Sequence, residues 1–407
     1  MGSAYSRTAL RTRIHALIFN QGLPSIFLTI NPADIHSPVA LYFAGVQLNL
    51  DQIKDEKLMD TYQRAEIIAS HPVATAKFFH LLITNILDTM IMGGVLGPIK
   101  AYFGTVESQG RGSLHLHLLI WLDHDMKPAD MKEKIQDATF QNTHRSPLFS
   151  TPTKQHLPSP SIPYRSPVAS PLPRTPTHDR SAIACLPTPN PSPPNFRSKF
   201  RAHVAQVAES SNTHKHYDTC YKYCKDGKRI CRSIMPRKKV PVSTIDPETG
   251  GISMKRSDPW MNNFNDYIIS ACRSNMDIKF IWTGNDTKAL VYYITDYVTK
   301  MSLSFHDTFS LVQKSITSLQ NPNNPTDTEN VIEKSRKLVL RCYNAFASQQ
   351  ELSGVQVASY LMNWDDHYTT HKFQGLYLIQ TERFLQSELN EMRAKQNLQS
   401  TSQGKSN

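Results

Sequence analysis

The chain has 407 residues, a formal net charge of +11 and 39% hydrophobic residues. That is length enough for two or three domains, and the excess of lysine and arginine favours a polyanionic partner. Six cysteines, at 185, 220, 224, 231, 272 and 342, are too few and too unevenly spaced for a disulfide framework, and no window holds eighteen uninterrupted apolar residues; the composition argues against a disulfide-stapled or membrane-spanning scaffold and predicts a reducing, intracellular setting.

Residues 4–20 read as a basic amphipathic helix stopped by Gly22 and Pro24, and Ser25–Ile30 reads as a short strand ending at Asn31-Pro32. From about Asp51 the pattern turns helical. Pro72 sits near the start of a second helix in which Phe79, Leu82, Ile83, Ile86, Leu87 and Met90 recur at three and four, an ordinary core face ended by Gly93-Gly94. A strand pair over Tyr102–Leu122 follows. Strand, helices and strand pair in this order predict an α+β fold with helices against an antiparallel sheet.

The strand pair carries the first candidate chemistry. His115 and His117 are two residues apart in a β-prone run, so both imidazoles leave one face of the strand. Gly110-Arg111-Gly112 suits a three-residue hairpin loop with glycine in the left-handed region, which sets Gln109 opposite Ser113 and Glu107 opposite His115. Two neutral imidazoles and a carboxylate make a three-ligand site with open positions, suited to a divalent cation that also holds water or a phosphate oxygen, with Gln109 as a further candidate. The same pattern is compatible with polar members of a half-exposed strand, and with a non-haem iron site, for which no distant third ligand announces itself.

Between Pro147 and Pro194 the composition shifts, with 14 of the chain's 26 prolines in 48 residues. Such a segment buries too little apolar surface to offset its ordering entropy, which predicts a disordered insertion over 143–200. Then come His214, His216, Cys220, Cys224 and Cys231, within eighteen residues. They could supply a structural Zn²⁺ with His214 or His216, Cys220, and Cys231 or Cys224; the spacing matches no standard finger, and reduced cysteines in a small core fit equally well. Lys222, Arg232, Arg237, Lys238 and Lys239 lie in and just after this cluster, with Tyr217, Tyr221 and Tyr223 interleaved. This arrangement suits single-stranded nucleic acid as well as it suits a solvated basic loop.

The stretch Asn275–Trp282 reads as a further strand, and Asn285 or Asp286 as the cap of a helix bearing Tyr292, Tyr293, Tyr297 and Lys300. Tyr293 and Tyr297, at i and i+4, lie one above the other with Lys300 a turn further on. A phenol titrates near pH 10, so as a nucleophile it needs a metal-activated phosphorus or a nearby lysine; on composition alone the pair are core or rim aromatics. Thr328–Ala347 and Ser353–Met362 read as helices, and the tail from about Gln380 as a polar helix that frays.

Three separated stretches, Phe27–Pro32, Glu107–His117 and Tyr292–Lys300, together resemble the ordered motifs of the Helitron transposase Rep domain, an HUH-type endonuclease, and the similarity extends through 214–237, 262–282 and 352–373. The resemblance implies a central antiparallel sheet flanked by helices, Mg²⁺ or Mn²⁺ on His115, His117 and Glu107, and nicking of single-stranded DNA. Tyr293 and Tyr297 would be the nucleophiles that become linked to the 5′ end, with Lys300 neutralising the phosphate. Arg111, Lys222, Arg232, Arg237, Lys238 and Lys239 would contact DNA. The expected organisation is a Rep domain in two parts, 1–142 and 241–301, separated by the insertion and by a basic Cys/His cluster at 201–240, then a helical region at 302–395 and a tail at 396–407. A nuclear location is expected. The resemblance further implies a truncated transposase whose helicase activity comes from another chain; the alternative is a non-catalytic, transposon-derived DNA-binding protein.

Overall fold

The computed structural model describes residues 4–48, 59–108, 112–123, 188–221, 230–245, 252–253, 255–281, 288–289, 292–293, 305–319, 331–348 and 352–403. In chain order, helix α1 (Ala4–Gln21) leads into β1 (Ile26–Ile30), followed by α2 (Pro38–Phe43), α3 (Thr61–Ser70) and α4 (Pro72–Asn85). The strands β2 (Ile99–Ser108) and β3 (Leu114–Leu122) form the hairpin, and α5 (Phe196–Ser211) comes after it. A two-stranded ribbon, β4 (Thr244–Ile245) and β5 (Ile252–Ser253), precedes α6 (Asp266–Cys272) and β6 (Met276–Phe280). The helices α7 (Phe305–Leu319), α8 (Val331–Ser348) and α9 (Gly354–Leu361) lead to β7 (His367–Thr369), and α10 (Leu378–Gln403) closes the order.

Five strands form one sheet in the order β6-β1-β3-β2-β7, every neighbouring pair antiparallel. The fold is α+β, as the alternation of strand and helix patterns predicts. Alternation in β1 sends Ile26, Leu28 and Ile30 to one face and Phe27 and Thr29 to the other. The first face is the main core, where Leu114, Leu116, Leu118, Ile120, Met276 and Ile278 join them against Phe79, Ile83, Ile86, Leu87 and Ile91 of the α4 region and Ile268 and Ile269 of α6. Each such fully buried aliphatic side chain contributes roughly 1.5–3 kcal/mol. Covering both faces of β3 explains why its sequence is apolar almost throughout, with only the two histidines breaking the run.

Local signals set the boundaries. Proline at the first position starts α4. The helix then continues as a wider π turn over Ile86–Ile91, with the Met92 amide bonded to the Leu87 carbonyl at 2.9 Å. Asn265 caps α6 by accepting from the Tyr267 and Ile268 amides. Asn212, fully buried at the end of α5, donates to the Asn262 carbonyl and accepts from the Met276 amide, so one side chain joins α5 to the start of β6.

Two sequence expectations need correction. The insertion assigned to 143–200 lies outside the described residues as far as 187, but α5 begins at Phe196, inside it. Phe196 lies tilted against Phe200, and Phe200 stacks on Tyr267, at centroid distances of 5.4 and 5.7 Å, and these aromatics hold residues 196–200 in the helix. The second correction concerns 302–395, which is not helical throughout. His367–Thr369 pairs with Phe103–Thr105 and completes the sheet edge, while α9 packs on α4. Residues 1–369 form one compact unit; 370–407, which contains α10, form another. Among the described residues no single helix is long and apolar enough to cross a membrane.

Candidate active site

The register of the sheet builds a polar row across the face opposite the main core. Thr105 pairs with both His117 and His367, and Thr29 pairs with both His117 and Asp277. Directly opposed residues share a face, so His367, Thr105, His117, Thr29 and Asp277 run in sequence from β7 to β6. One step along the hairpin, Glu107 pairs with His115, the register that the Gly110-Arg111-Gly112 loop predicts. Gly112 takes φ +86°, the left-handed conformation expected of it. Gln109 and Arg111 lie outside the described residues.

Of the three predicted cation ligands, His117 and Glu107 meet directly. His117 Nε2 lies 3.0 Å from Glu107 Oε2, and His117 Nδ1 lies 3.4 Å from Thr29 Oγ1. One polar partner at each ring nitrogen orients the imidazole, and the ring is further held by stacking on Phe27 at 6.0 Å and 6°. His115 is 4% exposed and His117 8%, while the Glu107 side chain at 29% is the member open to solvent. Burial, reinforced by His117 and opposed by Glu107, pulls the His115 pKa down to about 4, so this imidazole is neutral at ordinary pH, as a metal ligand must be. The donor atoms of His115, His117 and Glu107 do not all lie within 4.8 Å of one another; among the described residues only a different group meets that condition. The donor set nevertheless fits a divalent cation in kind, with two imidazoles, one fixed and neutral by burial, beside one accessible carboxylate.

Three neighbours of this site escape sequence reasoning. Asp34, 8% exposed in the turn after β1, accepts from Ser113 Oγ at 3.0 Å and from the Ile35 amide at 2.8 Å, tying the turn end of the hairpin to the end of β1. His367 accepts from Arg13 Nη1 at 2.7 Å through Nε2, donates to Asp366 Oδ1 at 3.1 Å through Nδ1, and stacks on Phe103. Asp277 receives Arg237 at 3.3 Å and Lys279 at 3.4 Å on Oδ2, while its buried Oδ1 has no hydrogen-bond partner among the described residues. Only Asp34 left a trace in sequence, as the acid just beyond the Asn31-Pro32 stop; the others depend on strand pairing over long separations.

Residues 1–120 match the family model described as the Helitron helicase-like domain at the N-terminus. This relates the chain to Helitron transposases. No curated protein matches the chain. The Helitron-like segment runs from α1 into β3 and contains Asp34, Glu107, His115 and His117, so the polar centre of the sheet falls within it.

The remaining predicted site residues lie beyond that segment. Tyr292 and Tyr293 are helical and exposed, Tyr293 at 41%; Tyr297 and Lys300 lie outside the described residues. Lys222 and Cys224 also lie outside them. Arg232, Lys238 and Lys239 are exposed, whereas Arg237 is half-buried against Asp277. The structure gathers His214, His216, Cys220 and Cys231 into one group.

Proposed function

We propose that this chain nicks and rejoins single-stranded DNA through a covalent tyrosine intermediate, with a divalent cation held by His115, His117 and Glu107. The observation that carries the reading is the β2/β3 register. It brings Glu107 opposite His115 and within 3.0 Å of His117, in a segment that matches the Helitron helicase-like domain. A bound Mn²⁺ or Mg²⁺ would polarise the scissile phosphate, and the mixed imidazole and carboxylate set favours Mn²⁺. His115 stays neutral and presents a lone pair, Thr29 and Phe27 orient the His117 ring, and Glu107 supplies the anionic oxygen at the open side.

Tyr293 and Tyr297 are the proposed nucleophiles. The phenolic oxygen bonds to phosphorus as the bond to the 3′ oxygen breaks, and the phenol's proton is delivered to the departing 3′-hydroxyl. The step exchanges one phosphodiester for another, so a free 3′-hydroxyl can reverse it. Lys300 would offset phosphate charge, and the exposed Arg232, Lys238 and Lys239 would hold the strand.

The test is an incubation of the whole chain with a single-stranded oligonucleotide and Mn²⁺, read as a denaturant-resistant adduct. Glu107→Gln is expected to reduce adduct formation at least tenfold, with partial recovery at raised Mn²⁺. Folded, DNA-binding protein that forms no adduct with any divalent metal would support a non-catalytic DNA-binding protein instead.

A further inference from the structure

Between α5 and the β4/β5 ribbon the chain brings four soft and borderline donors together. One nitrogen each from His214 and His216 and the sulfurs of Cys220 and Cys231 all lie within 4.8 Å of one another. His214 Nε2 is 3.4 Å from Cys231 Sγ and 3.6 Å from Cys220 Sγ. A tetrahedron built on Zn–N bonds of about 2.0–2.1 Å and Zn–S bonds of about 2.3 Å separates its corners by roughly 3.3–3.8 Å. These contacts have that spacing.

The surroundings suit thiolates. Both cysteines are free and buried. The Tyr217 amide points at Cys220 Sγ from 3.5 Å. The imidazoles are equally fixed: the His214 amide donates to the Trp260 carbonyl, and His216 sits edge-on to both His214 and Trp260.

We propose that His214, His216, Cys220 and Cys231 bind one structural Zn²⁺, which clamps the segment carrying Arg237 to the β6 end of the polar row. With four donors the coordination sphere is closed, as in structural rather than catalytic zinc sites, and Cys224 has no place in it. The clamp has an identifiable load. Beyond Cys231 the Arg237 amide bonds to the Pro259 carbonyl, and its guanidinium reaches Asp277, which shares its row with Thr29 and His117. Among the described residues the apolar packing within this segment is a small cluster of Cys220, Cys231 and Met235 with Tyr221 against it. The assignment does not depend on the nicking reading.

Metal analysis of the whole purified chain tests it. One zinc per chain is expected, retained by Cys224→Ser and lost from Cys220→Ser and Cys231→Ser. Should the last two fail to fold, Co²⁺ exchanged into the unaltered chain keeps the question answerable. Tetrahedral d–d bands with thiolate charge transfer are expected, against the weak spectrum of octahedral Co²⁺ if the site is wrong. Hydrogen exchange checks the clamp: removing zinc should accelerate exchange at the His214, Arg232 and Arg237 amides while β1 and β3 stay protected. Folded chain without zinc, loss of zinc on Cys224→Ser, or unchanged exchange after zinc removal would each overturn the proposal.

Discussion

Single side chains show how burial sets proton occupancy in this fold. His203 of α5 is 8% exposed, its Nε2 has no hydrogen-bond partner among the described residues, and burial, with Arg273 adding to it, holds its pKa below the ordinary value of 6.5. The folded chain therefore keeps His203 neutral at a pH where the unfolded chain has protonated it, and stability falls as the pH drops below about 6.5. His203→Leu should flatten that loss while changing stability at pH 7 by less than about 1.5 kcal/mol. Urea titrations at several pH values check this, and an unaltered acid slope would mean that His203 is not the group responsible. The cysteine and histidine cluster marks a limit of sequence at this scale. Its local spacing left Cys224 and Cys231 as alternatives; Cys231 joins the group where the Arg232 amide bonds back to the Cys220 carbonyl, a contact no spacing rule encodes.

Among the elements, the hairpin was the most legible, because a tight turn with a left-handed glycine fixes register and register fixes which side chains face each other. The shortest strand of the five-stranded sheet was the least legible. β7 has three residues, too few for alternation to show, and its partner β2 lies more than 250 residues earlier. Its place is held by side chains. Tyr368 sits opposite Gly104, lies 3.2 Å from His80 Nδ1 through its hydroxyl, and His80 in turn stacks on Trp364 at 4.3 Å. Tyr368→Ala should cost about 3 kcal/mol and expose the β2 edge. Gly104 is constrained from the other side, since a Cβ there would come within 2.8 Å of Leu118 Cδ1 and 2.9 Å of Leu116 Cδ1. Gly104→Ala is expected to destabilise by roughly 1–3 kcal/mol. Thermal unfolding of both variants checks these values, and wild-type melting of Tyr368→Ala would show that β7 does not close the sheet.

At the scale of the whole molecule, the net charge of +11 becomes a statement about binding. Single-stranded DNA should bind with a salt slope that steepens by about 0.7 per neutralised phosphate, so replacing Lys238 and Lys239 with glutamine should reduce the slope by about 1.4. An unchanged slope would place the strand elsewhere. The fold class was readable from the order of strand and helix patterns, because each buried face carries its own period. The layout of the polar row was not, since it joins β6, β1, β3, β2 and β7 across nearly the full chain and exists only once the sheet has formed. On the proposed function, His117 of this row, with His115 and Glu107 beside it, holds a cation used to transfer a DNA strand to tyrosine. This function is tested most directly by incubating the unaltered chain, His115→Ala with His117→Ala, and Tyr293→Phe with Tyr297→Phe, each with single-stranded DNA and Mn²⁺, and resolving adducts on a denaturing gel. A metal-dependent adduct from the unaltered chain alone is expected; an adduct that persists in either double variant, or folded unaltered chain that yields none, would rule out this function.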